Sequence, residues 1–361
     1  MVMKMITLIF CGDIMVCPYL NRYTTEFDKL NVPYRVLFWN RNLRDLELPS
    51  NYYCYNSVCD DTDGKLKKAK DFHGFRKWIV AHLKSQKSDA LILLSTLTGI
   101  LLFDKLKKYK KKYIFDIRDY SFENHALFRF LEKGVIKNSF FTAISSKGFK
   151  AFLPEHDYVI AHNFNRNEMV ANPKFAKTDG VIHFVWNGTI RYFDFQKKYL
   201  DALANDSRFL MVYHGKGEHL ERFRTYCEEK GIKNVVFTGP YDNSKKYELL
   251  KSAHVLNNCY GGNYGEELRY AVSNRFYDGL IYRIPQVVEE NGYKASWASA
   301  LEIGLPKDAD ASFADKLYDY YVAIDEKGFE ANCEKALEEI IKEDDIYISK
   351  IHEFANTVGR E

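Results

Sequence analysis

"NYGEELRYAVSNRFYDGLIYRIPQVV", Asn263–Val288, reads as a helix, a turn and a strand in quick succession. Ser273 suits the N-cap of a helix running to Tyr282. Gly279 and Pro285 then lead into an apolar strand, Gln286–Val288. Asn274, Arg275 and Asp278 lie along that one helical stretch, and Arg275 and Asp278 are i, i+3 neighbours on one face. A carboxylate placed there can hold the two hydroxyls of a ribose, while Arg275 or the helix end neutralises phosphate. The same spacing also suits an ordinary salt bridge on a surface helix.

Outward from this stretch the same alternation recurs. In the second half the strand candidates are Val181–Trp186, Phe209–Tyr213, Val235–Phe237, His254–Leu256 and Gln286–Val288. Helices fit at Gln196–Ala204, Glu218–Lys230, Ser244–Ser252 and Ser273–Tyr282. In the first half, strands fit at Met5–Cys11, Tyr34–Phe38, Ala90–Leu94, Tyr113–Phe115, Phe140–Ala143 and Tyr158–Ile160. Crossover helices fit at Leu97–Lys108 and Ala126–Val135. Buried parallel strands read as unbroken apolar runs, as "ALILL" and "SFFTAI" do. The polar stretch Asn163–Gly180, with Pro173, separates the two series. The expected fold class is therefore α/β, with two doubly wound domains over 1–165 and 166–340. The tail from Ala311 is helix-rich, Lys335–Lys342 being its clearest amphipathic piece, and 341–361 is expected to pack back towards the first domain. Ligands in such sheets sit at the carboxyl ends of the strands.

Three further stretches carry candidate chemistry. "VWNGTIRYFDFQKK" (Val185–Lys198) ends a strand, turns at Gly188 and Thr189, and presents Arg191 before a helix. Backbone amides at a helix start beside a cation make a diphosphate site; an ordinary loop with a surface arginine fits equally. In "NVVFTGPYDNSKKYELLKSAHVLNNCY" (Asn234–Tyr260), Gly239 would let a nucleotide base approach the backbone, and Gly-Pro is also a plain loop marker. "YIFDIRDYSFENHALFRF" (Tyr113–Phe130) sets Asp116, Arg118, Asp119, Glu123 and His125 just after a strand. Asp119 or His125 could accept a proton from a hydroxyl, whereas Asp116 and Arg118 could simply brace the loop. Gly12 and Asp13 follow the first strand, in the tight loop that such folds aim at a ligand.

Asn274, Arg275, Phe276, Tyr277, Asp278, Gly279 and Leu280, followed by Arg283, Ile284 and Pro285, resemble the donor-binding region of GT-B glycosyltransferases. The likeness is to the large retaining, polysaccharide-making group that is glycosyltransferase family 4-like. That group reads Asn-Lys-aromatic-Tyr-Glu-x-Leu, then Gly-x-Pro; here Asp278 replaces its Glu and Arg283 its Gly. The first of the family's two spaced glutamates falls near Glu266 or Glu267, with Glu267 favoured. "WNGTIRYF", "VVFTGPY", "FFTAISSKGFKAFLP" (Phe140–Pro154) and "AHNFN" (Ala161–Asn165) are similar to other family segments, in family order, over most of the chain. The resemblance implies two Rossmann-like domains facing a central cleft, the first for the acceptor and the second for a nucleotide-diphospho-sugar. It implies retaining, hexosyltransferase-type chemistry without a metal or other cofactor, in bacterial surface polysaccharide assembly. Donor contacts would come from Gly12, Asp13, Gly188, Thr189, Gly239, Glu267, Asn274, Arg275 and Asp278. Arg191, then Arg275, would stabilise the departing diphosphate, with Lys197 and Lys198 as weaker candidates.

Composition narrows the field. At 361 residues, 46% hydrophobic and 28% charged, the chain is globular and long enough for two cores. Up to Val170 there are 27 Lys/Arg against 18 Asp/Glu, and after it 25 against 31, so the first half is basic and the second acidic. Lys105, Lys107, Lys108, Lys110, Lys111 and Lys112 form the sharpest basic run, with Lys65, Lys67, Lys68 and Lys70 behind it. These are either solvated helix ends or a surface for anionic lipid or a pyrophosphate-linked acceptor. No nucleic-acid motif accompanies them. The seven cysteines, odd in number and without a CxxC pair, argue against a disulfide framework and against a zinc site. Asp60, Asp61 and Asp63 come nearest to a chelating set. Without a signal sequence or a long apolar span, the expected location is the cytoplasm, or the inner membrane face by peripheral contact. The expected partners are a nucleotide-sugar donor and a saccharide or lipid-linked saccharide acceptor.

Three rivals compete. A nicotinamide enzyme would use "YHGKGEHL" (Tyr213–Leu220), but Leu220 stands where the third glycine of its fingerprint belongs. A GT-B sugar epimerase would share the nucleotide site and need no acceptor. A two-lobed sugar-binding protein would bind without turnover.

Overall fold

The computed structural model describes residues 4–60, 62–169, 173–175, 177–261 and 266–359. The chain divides into two units, one formed by Met1–His162 with Lys342–Glu361 and the other by Asn163–Ile341.

The first unit holds seven strands and four α-helices of its own among the described residues. The strands are β1 (Ile6–Phe10), β2 (Tyr34–Asn40), β3 (Tyr52–Asn56), β4 (Ala90–Leu94), β5 (Tyr113–Ile117), β6 (Phe141–Ile144) and β7 (Tyr158–Ile160). The helices are α1 (Leu20–Leu30), α2 (Lys65–Ser85), α3 (Thr96–Leu101) and α4 (Ala126–Asn138). All strand pairs are parallel, in the order β3-β2-β1-β4-β5-β6-β7. Every residue of β1, β4 and β5 is buried, which is why these strands carry no polar alternation. The helix expected over Leu97–Lys108 is shorter: α3 stops at Leu101, and Leu106–Tyr109 makes a 3-10 turn that buries Leu106 and Tyr109. The half-buried edge strand β3 and the helix α2 stand between β2 and β4 in the chain, where the sequence pattern predicts neither.

The second unit holds β8 (Ile182–Asn187), β9 (Phe209–His214), β10 (Val235–Gly239), β11 (Val255–Asn257), β12 (Gln286–Val288) and β13 (Gly304–Pro306). Its helices are α5 (Phe193–Leu203), α6 (Leu220–Lys230), α7 (Lys246–Leu250), α8 (Glu266–Tyr270), α9 (Asn274–Ile281), α10 (Tyr293–Ala300) and α11 (Phe313–Ala323). The order β10-β9-β8-β11-β12-β13 is again wholly parallel. Strand order therefore reverses between β1 and β4 in one sheet and between β8 and β11 in the other. A crevice opens outside the carboxyl ends of the strands at such a reversal, and ligands bind there. The core of this unit is aromatic, with Phe184, Trp186, Tyr199, Phe223, Phe276 and Phe313 buried together.

The last helix, α12 (Glu326–Gly359), starts in the second unit, and from Lys342 it belongs to the first. There Tyr347, Ile351 and Phe354 join the apolar core. Asp344 pairs with Arg22, and His352 Nε2 lies 2.7 Å from Glu26 of α1. Among the described residues, no helix is long and apolar enough to cross a membrane.

Candidate functional site

Beside the β8/β11 reversal, three glycines let the loops after β8 and β9 run closer than side chains would allow. Gly188, at the end of β8, has φ of +116°, and its N–H donates to His214 O at 2.9 Å. Gly215 has φ of +137°, and a Cβ there would lie 1.8 Å from Gly188 O. A Cβ on Gly217 would lie 2.0 Å from Ile190 O. The Gly-x-Gly of "YHGKGEHL" thus packs backbone on backbone against Gly188–Ile190. Gly239, with φ of +80°, accepts from Gly215 N at 2.8 Å and extends this floor beyond β10.

Above that floor, Thr189 and Arg191 are exposed. The Arg191 guanidinium lies 4.7 Å from the Tyr192 ring centroid and makes no ion pair among the described residues. Tyr192 is held at φ of +62° as α5 begins. Lys197 and Lys198 lie further along α5; Lys198 is exposed and Lys197 half-buried.

Asn274 is the exposed first residue of α9. Ser273 does occupy the N-cap position, but its hydroxyl donates to Asn258 Oδ1 at 2.6 Å instead of capping the helix. Arg275 and Asp278 are both buried and do not pair with each other. Arg275 Nη1 donates to Asn257 O at 2.6 Å and Nη2 to Asn187 O at 2.6 Å. One guanidinium therefore ties together the ends of β11 and β8 at the reversal. It also stacks 3.8 Å over Trp186. Asp278 accepts from Asn187 Nδ2 at 3.0 Å and from Lys246 Nζ at 2.9 Å.

Lys246 continues the chain to Glu168 Oε2 at 2.5 Å. Burial works against its charge, yet Asp278 and Glu168 together raise its pKa. At Asp278, burial outweighs Lys246 and Asn187 and pushes the carboxyl up. Lys246 therefore stands as a cation between two carboxylates. Asp278 is consequently no open ribose ligand here: both oxygens are engaged and 3% of the residue is exposed. Arg275 is likewise spent on backbone carbonyls.

The family-like glycine position explains itself. Arg283 adopts φ of +56°, a left-handed conformation that glycine takes without strain, and its Nη1 donates to Leu280 O. Glu267 is the second residue of α8, and its side chain lies outside the described residues.

Two further features of this rim lacked a sequence signal. Glu289 Oε1 accepts from Gly261 N at 3.0 Å, and its other oxygen pairs with buried Lys294 at 2.9 Å. His214 closes β9 with Nδ1 2.7 Å from Thr238 Oγ1, while its buried Nε2 has no partner among the described residues. Burial lowers its pKa and favours the neutral ring.

In the first unit, the loops after β1, β4 and β5 hold the remaining candidates. Gly12 O accepts from Trp39 N at 3.2 Å. Asp13 is buried and committed: it caps Met15 N at 3.0 Å and pairs with Arg44 Nε at 3.0 Å. Asp116 is fully buried, gripped by Arg118 Nε at 2.6 Å and Tyr23 OH at 2.7 Å, which is the bracing role. Asp119 and His125 are exposed, His125 as the residue before α4. Ser95, unmarked in the sequence, takes φ of +130° at the end of β4, and Thr96 Oγ1 beside it is buried without a partner among the described residues. Such strain at a strand end is typical of binding loops.

No family model and no curated protein sequence matches the chain. Solved structures do. The apo form of the lipopolysaccharide outer core galactosyltransferase WaaB is 16% identical, with a TM-score of 0.65 over 98% of this chain and 99% of its own. Sucrose-phosphate synthase from Thermosynechococcus elongatus is 10% identical, with a TM-score of 0.66 over 98% and 96%. Anabaena HepE, solved with UDP and glucose, is 11% identical, with a TM-score of 0.63 over 97% and 100%. Two wholly parallel sheets with interleaved helices, matched along nearly the full chain, give this protein the GT-B fold of those glycosyltransferases.

Proposed function

We propose that the protein is a glycosyltransferase that moves a sugar from a nucleoside-diphosphate sugar to an acceptor hydroxyl, in the assembly of a bacterial surface polysaccharide. The observation that carries this reading is the β8/β11 reversal. There Arg275 of α9 ties the ends of β8 and β11 together, and the glycine-floored loop after β8 presents Arg191, exposed and without an ion pair among the described residues. The HepE structures hold UDP and UDP-glucose, which fits a nucleotide sugar as substrate.

In this mechanism the bond from the sugar's anomeric carbon to the diphosphate breaks, and a bond to the acceptor oxygen forms with retention. Arg191 neutralises charge growing on the leaving diphosphate, an effect commonly worth two to three powers of ten in rate. Arg275 acts at one remove by locking the β8 and β11 ends. The acceptor proton passes to Asp119 or His125 of the first unit. Lys246 and Asn187 fix Asp278, so ribose recognition at Asp278 requires this network to open.

Turnover needs no divalent ion in this scheme, since Arg191 supplies the charge. Cys59, Asp63 and Asp71 do place ligand atoms within 4.8 Å of one another. The Lys67 ammonium pairs with Asp63 and lies 3.7 Å from Asp71, filling the role a cation would play. Asp61 lies outside the described residues. The acceptor is a lipid-linked saccharide, reached by the basic first unit at an anionic inner membrane face.

The test is a hydrolysis and transfer screen across UDP-, GDP- and ADP-sugars, with and without crude lipid-linked acceptor. Release of one nucleoside diphosphate, lost in Arg191→Ala and unchanged by EDTA, supports the reading. Turnover that EDTA abolishes and magnesium restores contradicts the metal-free mechanism. Binding with no turnover of any donor contradicts the enzyme.

A further inference from the structure

Three large apolar side chains stand in solvent around α4: Phe122 at 49% exposure, Leu127 at 71% and Phe130 at 71%. Leu127 and Phe130 are i, i+3 and therefore adjacent on the helix surface. Phe122, in the preceding loop, packs edge-on to Phe128 with ring centroids 5.8 Å apart. The buried side of the helix is well formed, with Glu132, Val135 and Ile136 inward, so the outward residues are not a misregistered core face.

The same exposed surface carries Arg129, Lys133 and Lys137. Immediately beside its last turn runs the segment with Lys105, Lys107, Lys108, Lys110, Lys111 and Lys112, all exposed. The two are fastened together. Lys111 N donates to Asn138 O at 2.9 Å, and its Nζ donates to Lys137 O at 3.0 Å and Ser139 O at 2.8 Å. Gly134 leaves room for the Phe103 ring, 2.8 Å from where a Cβ would be. Asp104 is the one acid beside these lysines in the segment, and it is already paired with Arg76 and Lys105.

We propose that α4 is a docking element for an anionic phospholipid surface, with Phe122, Leu127 and Phe130 entering the headgroup region and the adjoining lysines meeting lipid phosphate. A helix with an apolar edge and a basic flank has the composition of an interfacial helix. Long lysine side chains can lie along the surface while their ammonium groups reach the phosphates. The inference rests on the membrane-side reading given above and adds the element that makes the contact. It places insertion at α4 and makes binding only partly sensitive to salt, because apolar contact survives screening.

The test is flotation of the full chain with phosphatidylcholine vesicles and with vesicles also carrying phosphatidylglycerol, at low and high salt. Wild type is expected to float with the anionic vesicles and to keep part of that binding at high salt. The double variant Leu127→Ser/Phe130→Ser should lose roughly tenfold in bound fraction, most visibly at high salt. It should keep its thermal transition and its donor hydrolysis, because both residues are exposed. Neutralising Lys107, Lys108 and Lys110 to Gln should remove the salt-sensitive part alone. Equal flotation of wild type and L127S/F130S overturns the docking role of α4 while leaving the membrane reading intact. Failure of wild type to float at low salt overturns both. If L127S/F130S instead turns a dimer into a monomer in size exclusion with no change in flotation, the patch belongs to a second copy and the proposal is wrong.

Discussion

Replacing Glu132 by Gln should make the protein more stable, and the gain should appear only as pH rises. Glu132 sits on the inner side of α4 at 1% exposure, and its Oε1 has no hydrogen-bond partner among the described residues. Burial, with a smaller contribution from Glu123, pushes its carboxyl up from 4.5 to about 8. Below pH 4.5 the group is protonated whether the chain is folded or not, and it adds no pH dependence. Between pH 4.5 and 8 the unfolded chain ionises while the folded chain holds its proton. The unfolded state then binds fewer protons, and stability falls as pH rises. Above pH 8 the full penalty is present and constant. Each tenfold shift in acidity costs about 1.4 kcal/mol, so the penalty is on the order of 4–5 kcal/mol before relaxation or water entry reduces it. Gln keeps the shape without the charge. Urea denaturation at pH 5, 7 and 9 is the assay, followed by a probe of the first unit because two units need not unfold together. Glu132→Gln should gain little at pH 5 and several kcal/mol, about half the full penalty or more, at pH 9. A variant whose stability follows pH as steeply as wild type between 5 and 8 would refute the reasoning.

Two more consequences follow from the second unit. Lys246→Met strands the buried Asp278 carboxylate and should cost about 3–5 kcal/mol, whereas Lys246→Met/Asp278→Asn should recover most of that loss in the same melts. Gly215→Ala puts a methyl group where Gly188 O now lies, at a φ of +137°, so it should cost at least about 1–3 kcal/mol and weaken nucleotide binding as the β8 loop shifts; a wild-type affinity by calorimetry would mean that this loop is not part of the site.

Much of the architecture was legible because parallel strands buried on both faces write themselves as apolar runs. "ALILL" became β4 and the Ser273–Tyr282 pattern became α9 within a residue at each end. β3 escaped because Tyr52–Asn56 is half-exposed and has no aliphatic residue to announce it. The long helix read at Leu97–Lys108 stops at Leu101 because a 3-10 turn buries Leu106 and Tyr109 instead. At the site, glycines and Arg191 could be picked out from loop positions. The roles of Arg275 and Asp278 could not, because they depend on partners distant in sequence. Asn187 lies 91 residues from Asp278, and Lys246 lies 32 away in a Lys-Lys pair that reads as solvated surface. Gly215 and Gly217 looked like a failed dinucleotide fingerprint until their contact with Gly188 and Ile190 gave them a packing reason.

The central claim is that a nucleoside diphosphate sits at the β8/β11 reversal against Arg191. Isothermal titration of UDP and GDP into the full chain tests it most directly, with Arg191→Ala titrated in parallel. The account predicts saturable binding of one nucleotide per chain and at least roughly a tenfold loss in Arg191→Ala, equivalent to about 1.4 kcal/mol. Binding of neither nucleotide, or identical isotherms for wild type and Arg191→Ala, would contradict it.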